Sequence, residues 1–338
     1  MPWCRTCKRP TCRLTPRWYG SCAKYIGWPA AVFHHLLLCS VMHTLILGGT
    51  TFDHIVTLPE LPGPQPQTIH RAPFHEGTGS TGAGKALPLT RLGVPNVLYS
   101  AVGDDAYGHH IQADLLAQGV TAHYVTDPAG TERHVNLMDA QGQRISMFIT
   151  QASPTLPFDH AVVAGLLKTS GCVVLNIIPY CLPLIPLLQD YPHPIWTDLH
   201  DYDGHNPYHQ PFIAAAQYLH LSSDNLLDYR SVMEQLRSVG KRLVVCTHGA
   251  AGATLLTAEG QWLEQAAVPA PAVVDSNGAG DNFFAGFLYG FLREEPLQKC
   301  LQYGALCGSW CVGALGLVDA QLSSSRLEEA WRQHFGPA

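Results

Sequence analysis

Six short β-type runs punctuate this 338-residue chain: Thr44–Leu47, Val97–Ser100, Val173–Ile177, Ile195–Leu199, Tyr218–Leu221 and Leu243–Cys246. Several are apolar throughout, and a strand with apolar side chains on both faces needs cover on both sides. Between them lie helical stretches such as Tyr107–Gln118 and Arg230–Val239, closed by Gly119 and Gly240, where glycine takes the left-handed cap. This alternation predicts an α/β fold with a mostly parallel, doubly wound sheet and helices on both faces. Residues 53–78 and 122–150 break the rhythm and read as strands with turns, the second as a hairpin around Ala140, Gln141 and Gly142. They predict a small β-sheet lid over a binding site, with the Pro-rich stretch Leu58–Gln67 as a connection within it.

Hydrophobic residues make up 46% of the chain, enough to bury a sizeable core. A formal net charge of -6 excludes the basic face that a nucleic-acid partner requires. Residues 1–41 differ from the rest: they carry Arg5, Lys8, Arg9, Arg13, Arg17 and Lys24, no acidic residue, and Cys4, Cys7, Cys12, Cys22 and Cys39. Cys4, Cys7, Cys12 and Cys22 offer four soft ligands to zinc, but the second pair lacks the short chelating turn of a structural site. The segment is expected to be an N-terminal extension outside the fold, with residues 42–338 forming one domain. The uncharged run Ala30–Gly49 is about long enough to cross a bilayer. Its three histidines and closing glycines argue against that, no small-residue cleavage site marks a signal peptide, and no membrane association is expected. The remaining cysteines are scattered singly, which fits a reducing cytoplasm.

The chemistry concentrates in AVVDSNGAGDNFFAGFLYGFL, residues 272–292. Gly278, Ala279 and Gly280 permit a turn tight enough to aim backbone N–H groups outward at the start of an amphipathic helix. Unpaired donors and the helix dipole make such a terminus an anion site. Asp281 stands at the entrance of the same helix, so one turn presents an anion hole beside a carboxylate able to take a proton from an attacking hydroxyl. Taken alone, the triplet reads equally as a tight turn with Asp281 as a helix cap.

The whole string Asp275-x-x-Gly278-Ala279-Gly280-Asp281 followed by Phe-x-Ala-Gly-Phe resembles the C-terminal signature of the ribokinase-like (PfkB) carbohydrate kinases. Further elements stand in that family's order: Gly48-Gly49-x-x-x-Asp53, a Gly-rich helix start running to Arg91-Leu92-Gly93, Val102-Gly103-Asp104-Asp105-x-x-Gly108, and Thr247-x-Gly249-x-x-Gly252. The resemblance implies that Asp281 is the catalytic base and that the backbone of Gly278, Ala279, Gly280 and Asp281 holds the transferring phosphoryl. It implies that Asp53 binds acceptor hydroxyls, and that Gly79, Gly82 and Gly84 form a substrate loop with Lys85 facing an anionic substituent or solvent. Thr247, Gly249 and Gly252 should follow the nucleotide, with adenine against the helix around Cys307. A monovalent cation such as K⁺ could sit near Asp275 and Asn277, and Asp224 could replace the family's Mg²⁺-organising carboxylate.

Two departures accompany this resemblance. Many family members carry asparagine where Gly84 stands, and their Asn-x-x-Glu metal motif reads Ser222-Ser223-Asp224-Asn225 here. Gly79 to Ala86 also nearly matches a P-loop, but Ala86 replaces the required hydroxyl and no apolar strand precedes it. Pro88 leads us to expect the helix to begin nearer Lys85. The expected activity is ATP- and Mg²⁺-dependent phosphorylation of an alcohol group on a sugar or sugar-like molecule. The alternatives are a nucleoside kinase of the same fold or a non-catalytic nucleotide-binding protein, and exposed lid strands could pair two copies into a homodimer.

Overall fold

The computed structural model describes residues 42–139, 143–270 and 272–336. The expectations for residues 1–41 and for the hairpin tip at 140–142 lie outside these residues. In chain order the first half forms β1 (His43–Leu47), β2 (Thr51–Leu58), β3 (Phe74–Gly79), α1 (Thr81–Arg91), β4 (Asn96–Val102), α2 (Ala106–Ala117) and β5 (Thr121–Thr126). Next come β6 (Arg133–Asp139), β7 (Arg144–Thr150), α3 (His160–Thr169), β8 (Ser170–Asn176), a 3-10 segment (Pro179–Leu188), β9 (Ile195–Asp198) and α4 (Gln210–Ala215). The chain continues through β10 (Tyr218–Ser222), α5 (Tyr229–Ser238), β11 (Leu243–Thr247), β12 (Ala253–Thr257), β13 (Trp262–Gln265), α6 (Ala279–Phe291), α7 (Leu297–Val312) and α8 (Ser324–Phe335).

The large sheet runs in the order β13-β12-β11-β10-β9-β8-β1-β4-β5. It is parallel except where β12 pairs with β11 and β13. Alternating side chains of one strand feed two cores. Ile46 and Val174 join α1, α2, α6 and α7 on one face. Leu45, Leu47, Val173 and Leu175 join α3, α4, α5 and the 3-10 segment on the other. That division is why β1 and β8 are apolar nearly throughout. From β1 the chain moves outward through β4 and β5, then returns to build β8 to β11 on the opposite side. The order thus reverses beside β1, and the crevice outside the carboxyl ends of the strands at such a switch is where ligands bind.

The lid is a second sheet in the order β3-β2-β6-β7. Its register sets Asp53 opposite Gly77 on β3 and His134 on β6. β5 departs from the expected lid boundary: it pairs parallel with β4 in the large sheet, so the second lid segment begins at Arg133. As an outer strand it is wetted on one face, which gives it the alternating pattern of a lid strand. β7 forms the free edge of the lid, and Ile145, Met147, Phe148 and Ile149 are all exposed there.

α1 begins at Thr81, four residues before the expected start, and carries Pro88 inside it. Pro88 removes one helical hydrogen bond. Burial outweighs the loss: Ala83, Ala86, Leu87 and Leu89 are at most 2% exposed. The amino end of α1 is also tied to the sheet, where Ala83 N–H donates to Gly49 O at 3.2 Å and Thr81 Oγ1 donates to Asn176 Oδ1 at 3.0 Å.

Candidate active site

The turn that leads into α6, expected from the sequence to be an anion hole, is held from both ends. Val274 and Asp275 N–H donate to Val312 O at 2.9 and 3.2 Å, and Asn277 N–H donates to Asp275 Oδ1 at 2.7 Å. Gly278 then adopts a left-handed conformation (φ 76°, ψ 0°) that lets α6 start immediately behind it. Asn282 Nδ2 donates to Gly278 O and to Leu317 O at 2.9 and 2.7 Å, fixing the turn against the 313–317 loop. N–H groups in the first turn of a helix have no intrahelical acceptor, and Asp281 lies in that first turn.

Two carboxylates flank the glycine-rich start of α1. A Cβ on Gly79 would collide with the carboxylate of Asp53, and a Cβ on Gly84 would collide with that of Asp281. A Cβ on Gly82 would strike the backbone of Gly48 and Gly49. The three glycines expected to floor a substrate loop are therefore brought together with Asp53 and Asp281. Asp53 is 3% exposed; Thr51 Oγ1 donates to its Oδ1 at 2.7 Å and Asn136 Nδ2 to its Oδ2 at 3.2 Å. Ser146 Oγ orients Asn136 by donating to Oδ1 at 2.7 Å, and His134 Nδ1 lies 3.6 Å from Asp53 Oδ1. Burial pushes the Asp53 carboxyl above its ordinary value, against the opposing pull of Thr51, His134, Arg144 and Asn136. Arg144 on β7 donates from Nη1 to Asn277 Oδ1 at 2.9 Å, joining the lid to the turn before α6.

Lys85 departs from the expected substrate contact. Its side chain is 0% exposed, and its ammonium pairs with Asp281 Oδ1 and with Asp198 Oδ2, the latter at 2.9 Å. Burial pulls the Lys85 ammonium down, but Asp198 and Asp281 outweigh it, and its pKa ends above the ordinary value. Asp198 in turn accepts from His200 N–H at 3.0 Å, and His220 Nδ1 lies 3.0 Å from its Oδ1. Burial pushes the Asp198 carboxyl up, yet His200, Lys85 and His220 together hold it well below 3.8.

Asp198→Ala is expected to destabilise the protein by roughly 3–5 kcal/mol, because it strips one counter-charge from a buried cation. A folded-state pKa below the unfolded value means the stabilisation is complete above about pH 4 and drains as pH falls further. The urea midpoints of wild type and Asp198→Ala should therefore differ at pH 7 and converge in acid.

The nucleotide half is only partly as expected. Thr247 ends β11 with Oγ1 donating to Leu221 O at 3.3 Å, and Gly249 (φ 54°) faces open space. Gly252 (φ 106°) instead lies against the backbone of Gln265 and Ala267, where it closes the turn into β12. Cys307 is 1% exposed and abuts Gly286 of α6, so its side chain faces the helix interface and no adenine. Asp224 is exposed at the end of β10, and among the described residues no group of three His, Cys, Asp or Glu side chains gathers to hold a metal. Asp275 differs: its Oδ2 is buried with no hydrogen-bond partner among the described residues, and burial raises its pKa. No helix among the described residues is long and apolar enough to cross a membrane.

The family model described as pfkB family carbohydrate kinase matches residues 205–323. The acarbose 7(IV)-phosphotransferase of Actinoplanes sp. is 35% identical over 270 residues, spanning 79% of this chain and 90% of the relative. The chain belongs to the pfkB family of carbohydrate kinases. A solved microbiome-derived acarbose kinase superposes on this kinase with a TM-score of 0.77 at 31% identity, covering 85% of this chain and 98% of the other. An Arabidopsis thaliana ribokinase complexed with ribose and ATP shares the fold, with a TM-score of 0.70 at 20% identity over 85% of this chain and 98% of that one. The Gly278–Gly280 turn and Asp281 lie inside the matched segment. Asp53, the glycine floor and the lid residues Asn136 and Arg144 lie outside it.

Proposed function

We propose that this carbohydrate kinase transfers the γ-phosphoryl group of ATP to an alcohol group of a sugar-type acceptor held between Asp53 and Asp281. The observation that carries the proposal is the position of Asp281, in the first turn of α6 directly behind the left-handed Gly278 and against the side-chain-free edge of Gly84. Asp281 takes the acceptor hydroxyl proton as the oxygen–phosphorus bond forms, and the bond from phosphorus to the leaving oxygen of ADP breaks. Backbone N–H groups from Gly278 to Asp281 stabilise the charge on the moving phosphoryl. A divalent ion travelling with ATP would neutralise charge on its β- and γ-phosphates. Asp53, fixed by Thr51 and Asn136, orients the acceptor from the lid side. The unpaired Asp275 Oδ2 and the neighbouring 313–316 backbone support a monovalent cation that would steady the anion-hole turn.

Two similar proteins direct the choice of acceptor: one is an acarbose 7(IV)-phosphotransferase and the other an acarbose kinase, which favours an acceptor of that kind. ADP release is measured with Mg-ATP against acarbose, mono- and oligosaccharides, sugar acids and nucleosides, in potassium and in sodium buffers. Turnover with a sugar-type acceptor, faster in potassium, is the expected result. Turnover confined to nucleosides would replace the acceptor class, and bound ATP without turnover across the panel would mark a non-catalytic binder.

A further inference from the structure

Two neighbouring positions decide where the Asp281 carboxylate can point. At position 84 the absence of a side chain leaves the space that Asp281 Oδ2 fills, since a Cβ there would overlap it. At position 85 the ammonium takes the other oxygen, Oδ1. Lys85 is itself held: Asp198 Oδ2 grips it at 2.9 Å, and the Phe284 ring lies 5.3 Å from Nζ, one helical turn beyond Asp281. Asp198 is held by the His200 N–H. A buried Lys85–Asp198 pair with a third charge at the cleft wall is a poor way to gain stability, because desolvation offsets the attraction and apolar side chains of similar volume serve as well. What such a chain does fix is geometry, and a displacement of about 1 Å at a reacting group can cost about 10²-fold in rate.

We infer that Lys85 is a positioning residue for the base: anchored by Asp198, it holds Oδ1 of Asp281 so that Oδ2 remains the oxygen facing the acceptor hydroxyl. Gly84 is the second half of the same device, because it vacates the place Oδ2 occupies. The inference rests on the assignment of Asp281 as the base. It also accounts for the missing asparagine: at position 84 that side chain and the present Asp281 rotamer exclude one another.

The test compares wild type, Lys85→Met, Lys85→Ala and Gly84→Ala in steady-state kinetics, nucleotide binding by calorimetry, and the crystal structure of Lys85→Met. Lys85→Met is expected to lose about 10²-fold in kcat, with both KM values and the nucleotide Kd within about threefold of wild type. Lys85→Ala should recover part of its kcat in ethylammonium chloride, and none in tetramethylammonium chloride at the same ionic strength. Gly84→Ala, which keeps Lys85, should show the same loss in kcat at unchanged KM. A kcat near wild type in Lys85→Met, or a loss confined to KM, overturns the inference. If the lysine variants do not fold, a wild-type kcat in Gly84→Ala overturns it alone. If wild type turns over no acceptor, the proposed function fails first, and the Lys85→Met structure then decides. An Asp281 carboxylate still in its wild-type rotamer would refute positioning, and a rotated one would support it.

Discussion

Asp281→Asn is expected to lower kcat by about 10²–10⁴-fold, the usual contribution of a well-placed general base, while nucleotide affinity stays at the wild-type level. The asymmetry follows from how the two parts are made. The anion hole consists of backbone N–H groups set by the left-handed Gly278 and by the Asn282 side chain, which donates to Gly278 O and Leu317 O. None of these depends on the charge of residue 281. Asparagine keeps the size of the side chain and still offers an oxygen to Lys85, so the turn should persist. It cannot take up a proton, so the acceptor hydroxyl must attack unassisted. Rapid-quench measurement of product formation, beside calorimetric titration of the ATP complex, checks both halves. Undiminished turnover in Asp281→Asn would remove Asp281 from the mechanism.

The second large effect is expected at Asp53. Asp53→Ala should raise the acceptor KM and lower kcat/KM by about 10–150-fold, the equivalent of one charge-assisted hydrogen bond of about 1.5–3 kcal/mol. ATP affinity should not change, because Asp53 stands on β2 of the lid while the nucleotide loop follows β11 of the large sheet. Its buried carboxyl, already raised by desolvation, receives Thr51 and Asn136, and an acceptor hydroxyl completes that set. Initial rates over a grid of acceptor and ATP concentrations separate the two substrates. An unchanged acceptor KM would place the sugar elsewhere in the cleft.

The sheet, the lid and the tight turn that starts α6 were legible in the sequence because each depends on a local signal. Apolar strands report burial on two faces, and Gly-Ala-Gly-Asp reports a tight turn into a helix start. Contacts between distant segments left no such trace. Lys85 meets Asp281 across 196 positions, and a lysine read beside its neighbours looks solvated. Asn136 and Arg144 were hidden for a related reason. Their strands were recognisable, but which residue of a lid strand meets Asp53 depends on strand register within the lid, and which meets Asn277 depends on where the lid lies against the turn before α6. β5 was misplaced because an outer strand with one wet face resembles a lid strand. At Pro88 local propensity argued for a late helix start, and tertiary burial overrode it. Cys307 was singled out by its place on a helix, and which face of that helix is buried left no local trace.

The cleft floor also limits how such an enzyme can change over generations. Side chains at 48, 79 and 82 would strike Asn176, Asp53 or the Gly48–Gly49 backbone. Random substitution there removes the protein from selection before any new preference can be tried. Variation that survives is confined to the overlying strands, where His54, His75, His134 and Ser146 sit on elements that do not carry the phosphoryl machinery. Divergence toward new acceptors should therefore be written in the lid, over a floor that drifts very little.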